Sequence, residues 1–458
     1  MILHGCVYER LLLFTNCARH AGSVLLKGIF DDGCAGASHS RIVHRTRRDT
    51  REVRTAVYLL VVLTAGAYLP SPLYPSYQHA FGFSDLTMTL IYAMFALVSA
   101  PALLLFGSAA DTFGCRAVLR ISVVVAALAS GCFALATGPS WLLAGRAAQG
   151  LALGAATGAA TALITEPAPA GNRARASVLA STAFVAGTAA GPIAAGALAQ
   201  YAPAPQVLPY GVHLVLLAIG WSRISTLAVP ASRVRRWRPT RPHIPGGMHL
   251  LFTTAAATGF LAWTVAGLFL AVIPTILSRT AQIDNLATIG GVVGAVLASS
   301  VLSQPLVARC GASLAQLTGL SALLISLGTL SWTGGGSVPV TVLAAVAAGI
   351  GHGLAYGGAS AAIDAAAPAG KRAAINSTLY LAFYLGAGGP AITIGLLTLW
   401  YPLATAVSWL SAAAAALVPF VGTAIVLTHR TPRPPLTDSG QNHHRRQHTT
   451  TPTGRTQQ

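Results

Sequence analysis

Acidic side chains are scarce in this chain. Of its 458 residues eleven are Asp or Glu, and between positions 54 and 427 only Asp85, Asp111, Glu166, Asp284 and Asp364 occur. That sparseness excludes an acidic-site metalloenzyme in this region. Charged residues of both signs make up 9% of the chain, against roughly 25% in an average soluble domain. A water-soluble protein of this length would lack the charge to cover its surface. Lysine is almost missing as well: Lys27 and Lys371 stand against twenty-seven arginines. The six cysteines form no CxxC and no His-paired zinc spacing, so a metal site and a disulfide framework are both excluded. No P-loop, HExxH or other catalytic motif occurs. No enzyme, no ATP-driven pump and no cofactor is therefore expected.

What is abundant is apolar: 54% of residues, with a mean hydropathy of +0.63. A bilayer core takes about 20 apolar residues per helix. The charge-free runs 55–84, 86–110, 121–145, 147–165, 249–278 and 285–308 supply one span each. Three longer runs divide at turn signals: 176–222 at Pro203, Pro205 and Pro209, 310–363 at Thr333–Pro339, and 373–429 near Trp400–Pro402. The total is twelve spans. None alternates apolar with polar, which excludes a β-barrel.

Arg and Lys placement orients these spans. From Arg41 to Arg455 every gap with a basic residue lies on one side, except the gap holding Arg279; Arg146 lies within a span. Both termini are expected in the cytoplasm, in a multi-pass plasma-membrane protein. The basic patches then orient loops beside anionic lipid, and no nucleic-acid partner is implied. Residues 1–53 read as a poorly ordered basic extension, 54–228 as a first bundle, 229–247 as an Arg/Pro-rich cytoplasmic linker, 248–428 as a second bundle and 429–458 as a disordered tail.

The two halves repeat. Offset by 199 residues, 146–187 aligns with 345–386 without a gap, and 17 of 42 pairs are identical. Ala and Gly inflate that count, but Ala168-Pro-Ala-Gly-Asn-Arg-Ala174 against Ala367-Pro-Ala-Gly-Lys-Arg-Ala373 is hard to obtain from bias. The repeat lays span four on ten and span five on eleven. Six spans separate each pair, an even number, so the halves face the same way. The fold expected is an all-α membrane protein of twelve transmembrane helices, in two six-helix bundles related by a pseudo-two-fold axis along the membrane normal. Such layouts hold their site near midplane, between the halves.

Three motifs now resemble those of the major facilitator superfamily. Gly107-Ser-Ala-Ala-Asp111-Thr-Phe-Gly114-Cys-Arg116, between spans two and three, resembles its G-x-L-A-D-R-x-G-R-R loop; Asp111 and Arg116 keep the minimal charged pair of a bundle-to-bundle latch. Arg146-Ala-Ala-Gln149-Gly150 in span four resembles R-x-x-Q-G. Gly187-Thr-Ala-Ala-Gly191-Pro192 in span five resembles the G-x-x-x-G-P element associated with export by antiport. The resemblance implies a transporter working by alternating access, with a small-molecule substrate and no cofactor.

Arg146 is the one basic side chain a full turn inside a span, a costly placement that points to function. Substrate binding and a snorkelling, carbonyl-bound arginine are the two uses open to it. A proton-driven antiporter needs a group that titrates within the membrane, yet no carboxylate falls at midplane. Glu166 and Asp364 sit at inner span ends, where gate-closing ion pairs are expected. His213 in span six and His352 in span ten remain as proton candidates, with hydrogen-bonded packing as their alternative use. Trp263, Tyr356, Asn376, Tyr380 and Tyr384 are the candidate cavity wall; Tyr380 and Tyr384 share a helical face. Without midplane acid, neutral, zwitterionic or weakly anionic amphipathic cargo is expected. The function expected is monomeric export of a drug or metabolite against protons; uptake by a symporter or facilitator on the same fold is the alternative.

Overall fold

A transmembrane segment finds no water for its amides, so it must bond its own backbone, and only helices or closed barrels do so. The computed structural model describes residues 39–106, 109–168, 173–227, 244–368 and 372–430, and they are helical with short connections. The first bundle holds spans one (His39–Tyr68), two (Asp85–Phe106), three (Cys115–Ala134), four (Pro139–Thr165), five (Arg173–Tyr201) and six (Leu208–Ser225). The second holds spans seven (His249–Ala271), eight (Leu286–Cys310), nine (Ala312–Thr333), ten (Val338–Ala366), eleven (Arg372–Leu397) and twelve (Leu403–Arg430). Eleven helices among the described residues are long and apolar enough to cross a membrane. Span six, 18 residues long, packs on spans one and three and completes the first bundle.

Span one begins at His39, so residues 39–53 of the expected loose extension belong to a helix. Residues 1–38, most of the linker (228–243) and the tail beyond Arg430 lie outside the described residues, as does Gly107.

The packing repeats as the sequence does. Span one rests on spans four, five and six; span seven rests on ten, eleven and twelve. Span four packs on two and three, as ten does on eight and nine. The bundles meet along two matched seams, span five on eight and span two on eleven. The repeat also reaches beyond the aligned segment. Past span one the chain forms a short helix at Tyr74–Phe81, and past span seven another at Ile273–Arg279. Their first residues differ by 199, and Pro75 and Pro274 occupy the same place in each.

Small residues set how closely these helices approach. A Cβ on Gly150 would run into the Phe95 carbonyl and Ser99 of span two, and one on Gly349 into the Val296 carbonyl and Ser299 of span eight. These two glycines are one repeat apart. In the five–eight seam, Gly196 faces the Leu286 carbonyl and Gly290 faces that of Pro192. Pro192 sits inside one continuous helix, as does Pro390 in span eleven. Gly191 lies against Ala65 of span one and Gly187 against Val61 and Thr64. The Gly187–Pro192 element therefore fits span five between span one and the opposite bundle.

Gly349→Ala is expected to lower the thermal unfolding midpoint, by an overpacking cost of about 1–3 kcal/mol. Gly328→Ala, where an added Cβ meets nothing within 4 Å, is expected to leave it unchanged. A scanning-fluorimetry comparison of the two in detergent checks this; equal midpoints would refute close approach at Gly349.

Candidate functional site

Between the bundles lies a cavity of about 380 Å³ that runs from mid-span towards the end where span one begins and span twelve ends, the Arg-rich face. Spans four and ten build opposite walls. Thr157, Thr161 and Thr165 point in from one, and Tyr356, Ser360 and Asp364 from the other. Each set follows the four-residue step of a helical face, and each residue lies 199 positions from its counterpart. Spans five and eleven do the same: Ser177, Ser181 and Phe184 line the cavity, and so do Asn376, Tyr380 and Phe383. The duplicated unit makes both walls, but with different chemistry. The first bundle offers mainly hydroxyls, with Tyr68, Phe184 and Glu166; the second adds Trp263 and Tyr384 and is the more aromatic.

Trp263, Tyr356, Asn376, Tyr380 and Tyr384 thus all stand in the wall. The Tyr356 and Tyr380 hydroxyls are 3.5 Å apart, and Phe383 lies edge-on to both rings. The Asn376 amide donates to Asp364 at 2.7 Å. Three polar atoms buried here have no hydrogen-bond partner: the Trp263 indole nitrogen, the Ser360 hydroxyl and the Asn376 carbonyl oxygen. Unsatisfied buried groups are costly unless something fills them, and a wall presenting them suits a hydrogen-bonding ligand. Sequence reasoning passed over Ser360, Phe383 and the threonine and serine rail. The repeat offset combined with the four-residue step could have found them.

Glu166 and Asp364, expected in gate-closing ion pairs, line the cavity at its mouth; the side chains of Arg173, Lys371 and Arg372 lie outside what is described. They are the only charged side chains among the described lining residues. The described wall thus carries two carboxyl groups and no Arg, Lys or His.

The opposite end is shut by the two short helices. Arg279 donates to both Asp85 carboxylate oxygens, at 2.8 and 3.1 Å. The Gln78 amide donates to Asp85 at 2.8 Å, and Thr275 donates to the Gln78 carbonyl oxygen at 3.1 Å. Arg279, which stood alone on that side in sequence, is thus a tie between bundles. Its side chain is 51% exposed, so the pair itself contributes under about 1 kcal/mol. A contact that weak can open and close.

Arg146 does not line the cavity. It is 1% exposed, and its guanidinium donates to the Ala67 carbonyl, to Gln149 at 3.0 Å and to the Tyr92 carbonyl at 3.2 Å. Gln149 donates in turn to the Gly66 carbonyl at 2.9 Å. Pro70, four residues on, has no N–H to give Gly66. The motif therefore caps the broken end of span one. The guanidinium also lies 4.7 Å over Phe95, whose ring meets Tyr384 edge-on at 6.3 Å. One ring separates Arg146 from the cavity.

His213 is a knot between spans one, three and six. Its Nε2 donates to the Val62 carbonyl at 3.1 Å, and its Nδ1 lies 2.7 Å from the Ser130 hydroxyl. Both ring nitrogens are satisfied in a neutral imidazole. His352 lies just behind Trp263 and Tyr356, with Nδ1 2.9 Å from Ser300 and Nε2 unpartnered. In the loop between spans two and three, Gly114 adopts a positive φ of 82° at the start of span three. Arg116 donates at 3.0 Å to the Ser225 carbonyl, within its own bundle and not across to the other. The Asp111 side chain lies outside what is described, so the expected latch is represented by Arg116 alone.

Arg146→Met leaves the Ala67 carbonyl at the broken end of span one without its donor and is expected to cost about 1–3 kcal/mol of stability. A lower unfolding midpoint in detergent checks this; an unchanged midpoint would remove the capping role. For the closed end, Asp85→Arg is expected to expose a Thr89→Cys thiol to an impermeant maleimide, and Asp85→Arg/Arg279→Asp to protect it again. Thr89 is fully buried in the two–eleven seam, so labelling unaffected by either swap would refute the tie.

The profile of the Major Facilitator Superfamily matches residues 57–390. The puromycin resistance protein pur8 of Streptomyces alboniger is 33% identical over 195 residues, 42% of this chain and 37% of that one. The cephamycin export protein CmcT of Amycolatopsis lactamdurans is 31% identical over 179 residues, 38% and 35% of the two chains. The chain thus matches little more than a third of the length of these curated relatives. Among solved structures, an inward-facing, unoccupied bacterial homolog of the human lysosomal transporter Spinster superposes with a TM-score of 0.65 at 14% identity, over 84% of this chain and 97% of that one. The human organic anion transporter MFSD10 (TETRAN) gives 0.63 at 15%, over 82% and 99%. With its duplicated bundles and these matches, the chain belongs to the major facilitator superfamily.

Proposed function

We propose that this chain is a secondary active transporter that exports a small amphipathic compound by alternating access, with protons moving the other way. The observation that carries the reading is the cavity itself. It is built by the repeat between two bundles, reaches one face and is shut from the other by the Asp85–Arg279 layer. A path closed at one end and open towards the other is half of an alternating-access cycle. The Arg-rich face is the cytoplasmic one by the distribution of basic residues, so this is the state that loads cargo from inside the cell. Export is supported further by the names of the two relatives, a resistance protein and an export protein.

Wall chemistry narrows the cargo. Trp263, Tyr356, Tyr380 and Phe383 offer ring faces and edges, and the threonine and serine rail offers hydrogen bonds. Glu166 and Asp364 add negative charge at the mouth. A compound with a planar aromatic body and a basic or hydrogen-bonding substituent fits both walls at once. The protein acts as a monomer in the plasma membrane, because one chain supplies both walls.

Cells expressing the protein are expected to accumulate several-fold less radiolabelled puromycin than vector controls, and a protonophore is expected to abolish the difference. Higher accumulation in expressing cells would overturn export, and a difference indifferent to the protonophore would overturn proton coupling.

A further inference from the structure

The face of span ten that lines the cavity continues one rung deeper. His352, Tyr356, Ser360 and Asp364 follow one another at four-residue steps, so they form a single polar line along the helix. Its shallow end is Asp364 at the mouth, held by Asn376. The next rungs are Ser360, whose buried hydroxyl has no partner, and Tyr356, whose hydroxyl meets that of Tyr380. Its deep end is His352, fully buried. The corresponding line of the first bundle reads Leu153, Thr157, Thr161 and Thr165. Both halves carry a line of hydroxyls, but only the second has titratable groups at both ends.

His352 is built unlike His213. One nitrogen faces Ser300; the other, Nε2, faces no hydrogen-bonding atom although the ring is wholly buried. What surrounds it is aromatic: the Trp263 ring lies 4.8 Å away at 88°, and the Tyr356 ring is stacked at 5.5 Å. Both distances fall within the roughly 6 Å over which a cation is held by a ring. Ring faces at these distances attract an imidazolium and offset part of the cost of burying it. The other helices packed on span ten bring no charge to the site. Stretches 250–278, 285–308 and 312–333 contain no Asp, Glu, Lys, Arg, His or Tyr, and 373–397 of span eleven contributes only Tyr380 and Tyr384; His249, Arg309 and Arg372 stand at the ends of their spans.

We propose that His352 is the group that carries the coupled proton, and that it releases that proton into the cavity on the Arg-rich side. The proposal rests on the antiport reading above. A proton taken up on Nε2 makes the imidazolium, caged by Trp263 and Tyr356. Once the cavity reaches the Arg-rich face, Nε2 gives that proton to water entering past Trp263 and Tyr356, which carries it to solution. The imidazole is left neutral. The cage that holds the proton is also cavity wall, so cargo pressing on Trp263 and Tyr356 disfavours the imidazolium, and protonation disfavours cargo.

A protonated imidazole quenches an adjacent indole, so Trp263 reports on His352 without any cargo. In the purified full chain, the fluorescence lost on Trp263→Phe substitution is expected to fall about two-fold between about pH 8 and about pH 5, the range in which His titrates. His352→Gln is expected to abolish that dependence while leaving the emission spectrum in place. A flat wild-type profile, or an identical titration in His352→Gln, overturns the assignment. Energised cells then test coupling: His352→Gln, at equal membrane abundance, is expected to accumulate puromycin to the vector level. Export equal to wild type would show that His352 titrates without coupling, and so overturn the proposal. Wild-type cells that export nothing would instead sink the transport reading, while the fluorescence result still decides whether His352 binds a proton.

Discussion

A polar backbone in an apolar solvent constrains everything else in this molecule. Each amide and carbonyl must be answered from within the protein, so helices are compulsory and every interruption needs a partner. The clearest case is the end of span one. Pro70 breaks the helix and strands the carbonyl of Gly66, and a buried Arg146–Gln149 pair supplies donors to Gly66 and Ala67. That repair has further reach, because the same guanidinium ties down Tyr92 and lies over Phe95, which touches the cavity wall. A charge whose burial alone would suggest a ligand site is holding the bend that leads to the closed end.

From that bend follows the layer that shuts the cavity. The bends after spans one and seven are one device used twice, with Pro75 and Pro274 in matching places. They bring Gln78 and Thr275 together, and Asp85 with Arg279, across the two bundles. The tie is polar and part-exposed, whereas the seams beside it are close-packed on glycines such as Gly196 and Gly290. A weak tie over smooth seams suits two rigid units that rock, since no large apolar core is torn when they part.

Duplication also explains the cavity. Matching positions in spans four and ten, and in five and eleven, face the same space, so one set of helix faces made both walls. Divergence then gave them separate tasks. Threonine and serine dominate one wall, beside Tyr68, Phe184 and Glu166, while the other carries most of the aromatic rings, an amide and Asp364. Leu153 and His352 show the same divergence at depth, a packing residue in one half and a base in the other.

Sequence alone determined the spans, their common direction and the duplication, because hydrophobic length, arginine placement and a fixed offset are properties of the chain in order. It also supplied four rings of the second wall, Trp263, Tyr356, Tyr380 and Tyr384. It did not determine what a buried charge or histidine bonds to. Arg146, His213 and His352 read alike as polar groups in apolar runs, yet one caps a broken helix, one joins three helices through both nitrogens, and one keeps a nitrogen unpaired. Those differences come from partners 50 to 150 residues away in the chain, which only packing brings near. Which face the cavity reaches was likewise decided by tertiary contacts alone, since Asp85 and Arg279 meet or part without any change in sequence.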